Sequence, residues 1–139
     1  MRKFLFLLLL APLLFSSDLR TEQKIYQLII HSLIPKKEIV NIWCDDDEKR
    51  KVLNTIEGIH SVDSTEDADI LLISKKENLQ KKGIKFVTSY QLLEGQEIDI
   101  LGGFFWQKGR PNILFLKNSL QKYNIILPES MQDYVEDEL

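Results

Sequence analysis

Apolar residues recur along this chain at two spacings, one helical and one extended. The helical spacing predicts a first helix over residues 22–33, followed by Pro35, and a second over residues 47–57, followed by Gly58. Each predicted helix has one apolar face, formed by Ile25, Leu28, Ile29 and Leu33 in the first and by Val52, Leu53 and Ile56 in the second.

The extended spacing predicts several strands before residue 90. Residues 70–73 are apolar without interruption, as expected for a central strand buried on both faces. The pattern also predicts a buried strand at residues 39–44 and another strand at residues 84–87, whereas the weaker run at residues 59–62 fits a sheet edge. Because helical segments, including short turns near residues 78–82 and 90–93, separate these strands, the pattern predicts an α/β fold with a largely parallel sheet flanked by helices.

The last third of the chain predicts a β-hairpin, which makes the predicted sheet mixed. Phe104, Phe105 and Trp106 favour a strand, and Lys108-Gly109 supplies a turn because glycine readily adopts positive φ. Residues 113–116 form the predicted second strand.

Two short helices are predicted after this hairpin. Asn118 follows the second strand, and its side chain is expected to cap the first of these helices by accepting a backbone N–H. Asn124 is predicted to end that helix in the left-handed region, and Pro128 to open the last helix. The complete prediction is a mixed, largely parallel sheet with a C-terminal β-hairpin followed by two short helices.

The first 17 residues have the layout of a secretory signal peptide. Arg2 and Lys3 precede an uncharged run over residues 4–15, and Ser16-Ser17 places small residues near a cleavage site. We therefore predict a cleaved signal at residues 1–17, a single domain over residues 18–139 and a periplasmic location. An uncleaved membrane anchor is the alternative.

Charge and cysteine content narrow the class of partner. The mature domain is predicted to be more acidic than the whole chain, whose formal charge is −3, because the two basic residues of the signal leave with it. This balance argues against nucleic acid and against anionic lipid as partners. Cys44, the single cysteine, is expected to be a small apolar core residue; if it were exposed, it could join two chains in a homodimer.

Asp45-Asp46-Asp47 follows a predicted strand and enters a predicted helix. Open parallel sheets bind ligands beyond the carboxyl ends of their strands, so Trp43, Asp45 and Asp46 form a candidate ligand crevice. The other interpretation is that one aspartate caps the helix and its neighbours favour the positive end of the helix.

No catalytic set is recognisable in the sequence. His31 and His60 lie in different predicted elements and lack the spacing of zinc ligands. There is also no nucleophile elbow and no cysteine in a recognisable catalytic context. We therefore expect no enzyme activity, no catalytic residue, no metal and no cofactor.

The aromatic run of the hairpin is the candidate partner-binding site. Phe104 and Trp106 are expected to point to one face and Phe105 to the other, with Arg110 just across the turn. Aromatic residues and arginine are enriched as anchors of protein interfaces, so Phe105, Trp106 and Arg110 are the candidates. The alternative is that helices cover both faces of the hairpin.

The order of parts in the last third resembles the YfiR-like periplasmic regulators. Their closing signature is a Gly-Gly pair, a hairpin, a strand that ends in Asn, a short helix and a leucine-rich helix. The matching parts here are Gly102-Gly103, Phe115-Leu116-Lys117-Asn118, residues 119–123, and Ile126-Leu127 with Met131. Two earlier segments, Ile42-Trp43-Cys44-Asp45-Asp46 and Ala68-Asp69-Ile70-Leu71-Leu72-Ile73-Ser74, resemble the strong strands of the family.

This resemblance implies an exported, non-enzymatic regulatory module. Such a module contacts the periplasmic part of an inner-membrane signalling protein, a diguanylate cyclase or a sensor kinase, and holds it inactive. The alternative is a periplasmic carrier or sensor of a small ligand, which would use a crevice beside the Asp45-Asp46-Asp47 segment.

Overall fold

The computed structural model describes the backbone of residues 2–94 and 99–137, and the side chains of residues 18–94 and 99–137. The side chains of the predicted signal at residues 1–17 therefore lie outside the described part. In chain order the helices and strands are α1 (Arg2–Leu33), β1 (Val40–Cys44), α2 (Asp47–Asn54), β2 (Ile59–Ser61), β3 (Ile70–Ile73), β4 (Lys85–Val87), α3 (Tyr90–Leu93), β5 (Ile100–Gln107), β6 (Arg110–Leu116), α4 (Lys117–Lys122) and β7 (Val135–Glu136). Short 3-10 helices lie at Thr65–Asp67, Lys76–Gln80 and Glu129–Tyr134.

The described strands form one seven-stranded sheet in the order β2-β1-β3-β4-β5-β6-β7. The strands from β2 to β5 in this order are parallel, β5 and β6 form the antiparallel hairpin, and β7 runs parallel to β6. The predicted α/β class, with its mixed and largely parallel sheet, is confirmed. The four residues of β3 are buried, and β2 lies at an edge, as the sequence predicts.

One face of the sheet, called here the helix face, is covered by α1, α2, α4 and the C-terminal segment. Burying a large aliphatic or aromatic side chain stabilises a fold by roughly 1.5–3 kcal/mol relative to leaving it exposed, so this layer is a major source of stability. The buried side chains that these elements contribute are Tyr26, Ile29, Ile30, Leu33, Leu53, Leu120, Leu127 and Met131.

The opposite face, called here the thin face, is covered by shorter elements. The 3-10 helices Thr65–Asp67 and Lys76–Gln80 and the single turn of α3 lie on it, and Leu92 and Leu93 of α3 are buried there. Because α3 packs on β4 and β5, its cover does not extend fully over β6. Asn112 and Leu114 of β6 consequently remain only half-buried.

The hairpin turn consists of Lys108 and Gly109, with φ of 53° and 75°. Two successive residues with positive φ are the requirement of a two-residue type I′ turn, whose twist matches that of the flanking strands. The predicted turn at Lys108-Gly109 is therefore confirmed. The second strand is longer than predicted, since β6 begins at Arg110, directly after the turn.

The predicted cap at Asn118 is wrong. Asn118 lies inside α4, which begins at Lys117, and Leu116 occupies the N-cap position without a side-chain hydrogen bond. The cause is that β6 runs directly into the helix, so burial of Leu116 at the end of the strand sets where the helix begins. The predicted left-handed residue at the end of this helix is confirmed, because Asn124 has φ of 55°.

Three predicted boundaries or faces also need correction. Leu28 is 48% exposed, because the buried face of α1 is centred on Tyr26 and Ile30. Ile39 is exposed and precedes β1. The second helix ends at Asn54 rather than at residue 57, although Ile56 is buried as predicted.

Gly102 is a position of close backbone approach, because β5 packs there against β6. We expect Gly102→Ala to lower the free energy of unfolding by about 3 kcal/mol or more, since its Cβ would collide with backbone atoms of Leu114 and Phe115 that cannot swing aside. In the control, Gly109→Ala, no atom lies within 4 Å of the added Cβ. The positive φ of residue 109 is then the one source of strain, and it should lower the free energy of unfolding by roughly 1–2 kcal/mol. Urea unfolding measures both losses, and equal losses would contradict the close approach at Gly102.

Candidate functional site

The strand order reverses between β1 and β3, which is where doubly wound folds bind their ligands. In this chain the Asp45 carboxylate, which follows β1, connects the end of β1 to the loop that follows β3. It accepts hydrogen bonds from the backbone N–H of Ser74 at 2.7 Å and of Lys75 at 2.9 Å, and from the Asn78 amide at 2.9 Å. The side chain that follows β1 therefore holds the loop that follows β3.

This contact limits which ligands can bind at the place where the strand order reverses, called here the switch point. Backbone N–H groups after a strand are the donors that usually hold an anionic ligand. Here two of them, from Ser74 and Lys75, are engaged by an internal carboxylate. A hydrogen bond of 2.8 Å between the hydroxyls of Thr88 and Ser74 extends the same network to the end of β4. The arrangement favours a structural role for Asp45.

Asp46 is the N-cap of α2, and its carboxylate accepts the backbone N–H of Lys49 at 3.1 Å. Asp47 follows in the first turn, where a negative charge favours the positive end of the helix. The interpretation of this segment as a helix cap is confirmed. Within the part of the chain that the structure describes, no group of three or more His, Cys, Asp or Glu residues is arranged to hold a metal ion.

Trp43 lies on the thin face, half-buried, with the Lys81 ammonium 5.2 Å from the centre of its ring. Such a cation–π contact stabilises an exposed site by roughly 0.5–1 kcal/mol. Trp43, Asp45 and Asp46 are thus engaged by three different neighbours. A crevice around these three residues stays a prediction.

Cys44 is buried on the helix face, where its thiol donates to the carbonyl oxygen of Asp46 at 3.6 Å. Burial raises the pKa of this thiol to about 11, so it is protonated at neutral pH and a poor nucleophile. Nearby Tyr26 is also buried; burial raises the pKa of its phenol, whose hydroxyl has no hydrogen-bond partner among the described residues. The burial of Cys44 removes the basis for a disulfide between two chains.

A second polar cluster lies where the chain enters β5. Asp99 accepts hydrogen bonds from the Lys122 ammonium at 2.8 Å and from the Tyr123 hydroxyl. These two bonds lower the pKa of Asp99, and the bond to Asp99 raises the pKa of Tyr123. Because Lys122 and Tyr123 end α4, the cluster fastens this helix to the start of β5.

The hairpin divides the candidate aromatic residues between the two faces of the sheet. Phe104 is buried on the helix face, and the ring of Trp106 lies beside it with a centroid distance of 6.0 Å. Phe105 points to the thin face and packs edge-on against Tyr90, with a centroid distance of 5.9 Å. Arg110 is exposed and shares the thin-face side with Phe105, since it pairs with Gln107 across the turn.

A groove of about 450 Å³ lies on the thin face beside α3. We call it the hairpin groove, and its lining residues are Tyr90, Phe105, Gln107, Asn112, Ile113, Leu114 and Glu136. A second depression, lined by Gln107, Lys108, Arg110 and Asn112, lies at the turn end of the hairpin. The groove therefore joins an apolar floor to amide groups, with positive charge at the turn and a carboxylate near β7.

Sequence reasoning identified Phe105 in this groove and Arg110 in the adjoining depression, but it missed the other residues that line the groove. Tyr90 was predicted only as part of a helical turn, and no local signal places it beside Phe105. The alternation of Asn112 with Leu114 could have indicated that both share the face of Phe105, because side chains two residues apart in a strand point the same way.

In comparisons with known proteins, no family model, no curated protein and no solved structure matches this chain. As far as the described residues extend, none of the helices has the length and apolar character that crossing a lipid bilayer demands.

We expect Asp45→Asn to lower the free energy of unfolding by about 2 kcal/mol. Hydrogen bonds to a charged group each contribute roughly 1.5–3 kcal/mol, and the new amide would place a donor against a backbone N–H. The control is Asp47→Asn, in which an exposed aspartate is changed in the same way at a cost within about 0.5 kcal/mol. Thermal unfolding followed by circular dichroism compares them. Equal stability of the two variants would contradict the structural role of Asp45.

Proposed function

We propose that this chain is an exported, non-enzymatic regulatory module that contacts and restrains an inner-membrane signalling protein. The resemblance to the YfiR-like regulators indicates a diguanylate cyclase or a sensor kinase as the partner. The contact surface in this proposal is the hairpin groove with Arg110 at its turn end. Of the residues predicted from the sequence, Phe105 and Arg110 belong to this surface, whereas Trp106 lies on the other face of the sheet and is not part of the contact proposed here.

The observation that carries the proposal is the incomplete cover of the thin face over β6. Tyr90 is 40% exposed beside the half-buried Phe105, so the groove presents an aromatic pair to solvent. Aromatic anchors beside an arginine are typical of the centre of a protein interface. A partner side chain that enters this groove would bury the apolar floor and meet Arg110 at the rim.

The state of the switch point supports a binding role over catalysis. Catalytic sites need a nucleophile, a base or an oxyanion donor that is free to meet a substrate. The candidate groups at this position are engaged within the protein: Asp45 holds the loop after β3, Asp46 caps α2, and Cys44 is buried and protonated.

A periplasmic carrier or sensor of a small ligand is the second candidate. The volume of the hairpin groove, about 450 Å³, lies in the range of roughly 300–1,000 Å³ that is usual for small-molecule sites. The crevice predicted beside Trp43, Asp45 and Asp46 stays a second possible site for such a ligand. Native mass spectrometry of the purified protein would show a retained small molecule, and its loss in Tyr90→Ala would favour this candidate.

The export prediction follows from the basic, apolar and small-residue order of residues 1–17. The tagged full-length chain is expected in the periplasmic fraction with a new N-terminus near Ser17, as read by N-terminal sequencing. Arg2→Glu combined with Lys3→Glu reverses the charge of the basic segment and should retain precursor in the cell. Unprocessed wild-type protein in the cytosol would overturn the prediction, and unprocessed protein in the inner membrane would favour the anchor.

Tyr90 and Trp106 offer a matched pair of variants, because each side chain is 40% exposed and they lie on opposite faces of the sheet. We expect Tyr90→Ala to weaken capture of the partner at least tenfold, since loss of an aromatic anchor commonly costs about 2 kcal/mol or more. Trp106→Ala should leave the affinity unchanged. The measurement is cross-linking in intact cells, followed by identification and quantification of the captured inner-membrane protein.

Circular dichroism of both variants is the control for folding. If Trp106→Ala weakens capture while Tyr90→Ala does not, the partner docks on the helix face and the groove assignment is wrong. If neither variant changes the capture, neither aromatic side chain is an anchor.

A further inference from the structure

The segment that follows β3 gives the thin face a local excess of positive charge. Residues 75–82 contain one acidic residue, Glu77, and four exposed lysines, which are called here the lysine patch: Lys75, Lys76, Lys81 and Lys82. None of these lysines takes part in an ion pair among the described residues. In a chain whose formal charge is −3, this segment therefore reverses the sign of the overall charge.

The segment that carries the lysine patch is fixed on the sheet. The Asp45 carboxylate accepts the backbone N–H of Lys75 at 2.9 Å, and Leu79 packs against the buried side chains of the thin face. The Lys81 ammonium lies 5.2 Å from the centre of the Trp43 ring. A segment held in this way loses less conformational freedom on binding than a free loop does, so its charges are pre-organised for a partner.

A fifth lysine lies beside the end of this segment. Lys85 is 2% exposed, and its ammonium donates a hydrogen bond to the carbonyl oxygen of Gly83 at 3.2 Å. Lysine is almost never fully buried unless it is paired, yet no described carboxylate forms an ion pair with this ammonium. Lys85 therefore adds to the positive potential at the Lys81-Lys82 end of the patch.

The geometry favours an extended anion over a compact one. Free backbone N–H groups commonly hold a compact phosphate, but here the N–H groups of Ser74 and Lys75 are engaged by Asp45. Lysine ammoniums are hydrated point charges on flexible stems, which suit several carboxylates spread along a segment.

A lipid surface fits the patch less well than an acidic peptide does. Proteins that lie on a bilayer insert apolar or aromatic side chains into the headgroup layer. None of the exposed large apolar side chains of the described residues lies between residues 74 and 85, and Trp43 is half-buried beside Lys81. The patch therefore offers charge without an insertion group.

The lysine patch lies on the same face of the sheet as the hairpin groove. Trp43, beside Lys81, belongs to β1, whereas Phe105, beside Tyr90, belongs to β5, and three strand spacings separate these two strands. At about 4.8 Å per spacing, the two positions are roughly 14 Å apart across the sheet. One protein surface can therefore enter the groove and reach the lysines at the same time.

We propose that the lysine patch binds an acidic segment of the same partner protein that enters the hairpin groove. This inference rests on the proposed function for the identity of the partner, and it adds the chemistry of a second contact. Carboxylates that face these lysines steer the encounter and select the partner, because charge complementarity contributes mainly to association rate and specificity.

The first test uses a fluorescein-labelled oligo-glutamate peptide and the protein recovered from cells that express the full-length chain. Fluorescence anisotropy should show binding that weakens as ionic strength rises. Lys81→Glu/Lys82→Glu should raise the dissociation constant about tenfold, because it replaces attraction by repulsion. The matched control, Lys24→Glu/Lys36→Glu, makes the same change of net charge at two exposed lysines outside the patch and should leave the constant unchanged.

Trp43 reports on the site directly, because its ring lies beside the Lys81 ammonium. In a Trp106→Phe background Trp43 is the one remaining tryptophan, and its emission should shift when the peptide binds, since indole emission responds to nearby charge. Circular dichroism is the control for folding. If charge reversal disturbs the fold, Lys81→Gln/Lys82→Gln removes the two charges without repulsion and should still weaken binding.

Vesicles of phosphatidylglycerol and phosphatidylcholine provide the competing lipid surface. Binding to these vesicles through the lysine patch, without binding to the peptide, would overturn the proposal in favour of a lipid surface. An equal loss of peptide binding in the patch variant and in the control variant would also overturn it, because the attraction would then be unspecific.

Cross-linking in intact cells separates this inference from the proposed function. If the wild type captures an inner-membrane protein and Lys81→Glu/Lys82→Glu captures it equally well, the function stands and the patch assignment is wrong. If the wild type captures no inner-membrane protein while the peptide still binds through the patch, the regulatory function is wrong and the patch stands as a site for acidic peptides. Loss of capture in the patch variant, but not in Lys24→Glu/Lys36→Glu, supports both.

Discussion

A largely parallel sheet must be covered on both faces, and the two longest helices among the described residues, α1 and α2, both cover the same face. The burial of β3 between the two layers depends on α1 and α2 on the helix face and on short 3-10 helices and α3 on the thin face. The thin layer does not extend fully over β6. The open groove, the half-buried Phe105 and the exposed Tyr90 are all consequences of this unequal cover.

The position of the loop that follows β3, which forms part of the thin face, depends on an internal hydrogen-bond acceptor at the switch point. Asp45 supplies it by accepting two backbone N–H groups and one amide from the segment after β3. A carboxylate that satisfies these donors orders the loop that carries Leu79 onto the sheet. The same engagement leaves the position with little capacity for an anionic ligand, so the functional surface is better sought at the hairpin.

The hairpin combines two constraints that act at different places. Positive φ at Lys108 and Gly109 sets a tight turn with strong twist between β5 and β6. Pro111 lies at an outward-facing position of β6, where a missing N–H costs no bond within the sheet. The thin face of the hairpin thus remains available to a partner.

The sequence by itself determined the local elements of this protein. The apolar run of β3, the turn at Lys108-Gly109 and the left-handed Asn124 are each encoded within a few residues by periodicity and backbone preference. Only the tertiary structure decided that Asn118 lies within α4, that Tyr90 packs on Phe105 and that Asp45 bridges to Ser74, 29 positions away. The physical reason is that such contacts depend on strand order and register, which arise from the packing of the whole sheet and leave no signal in the neighbouring residues.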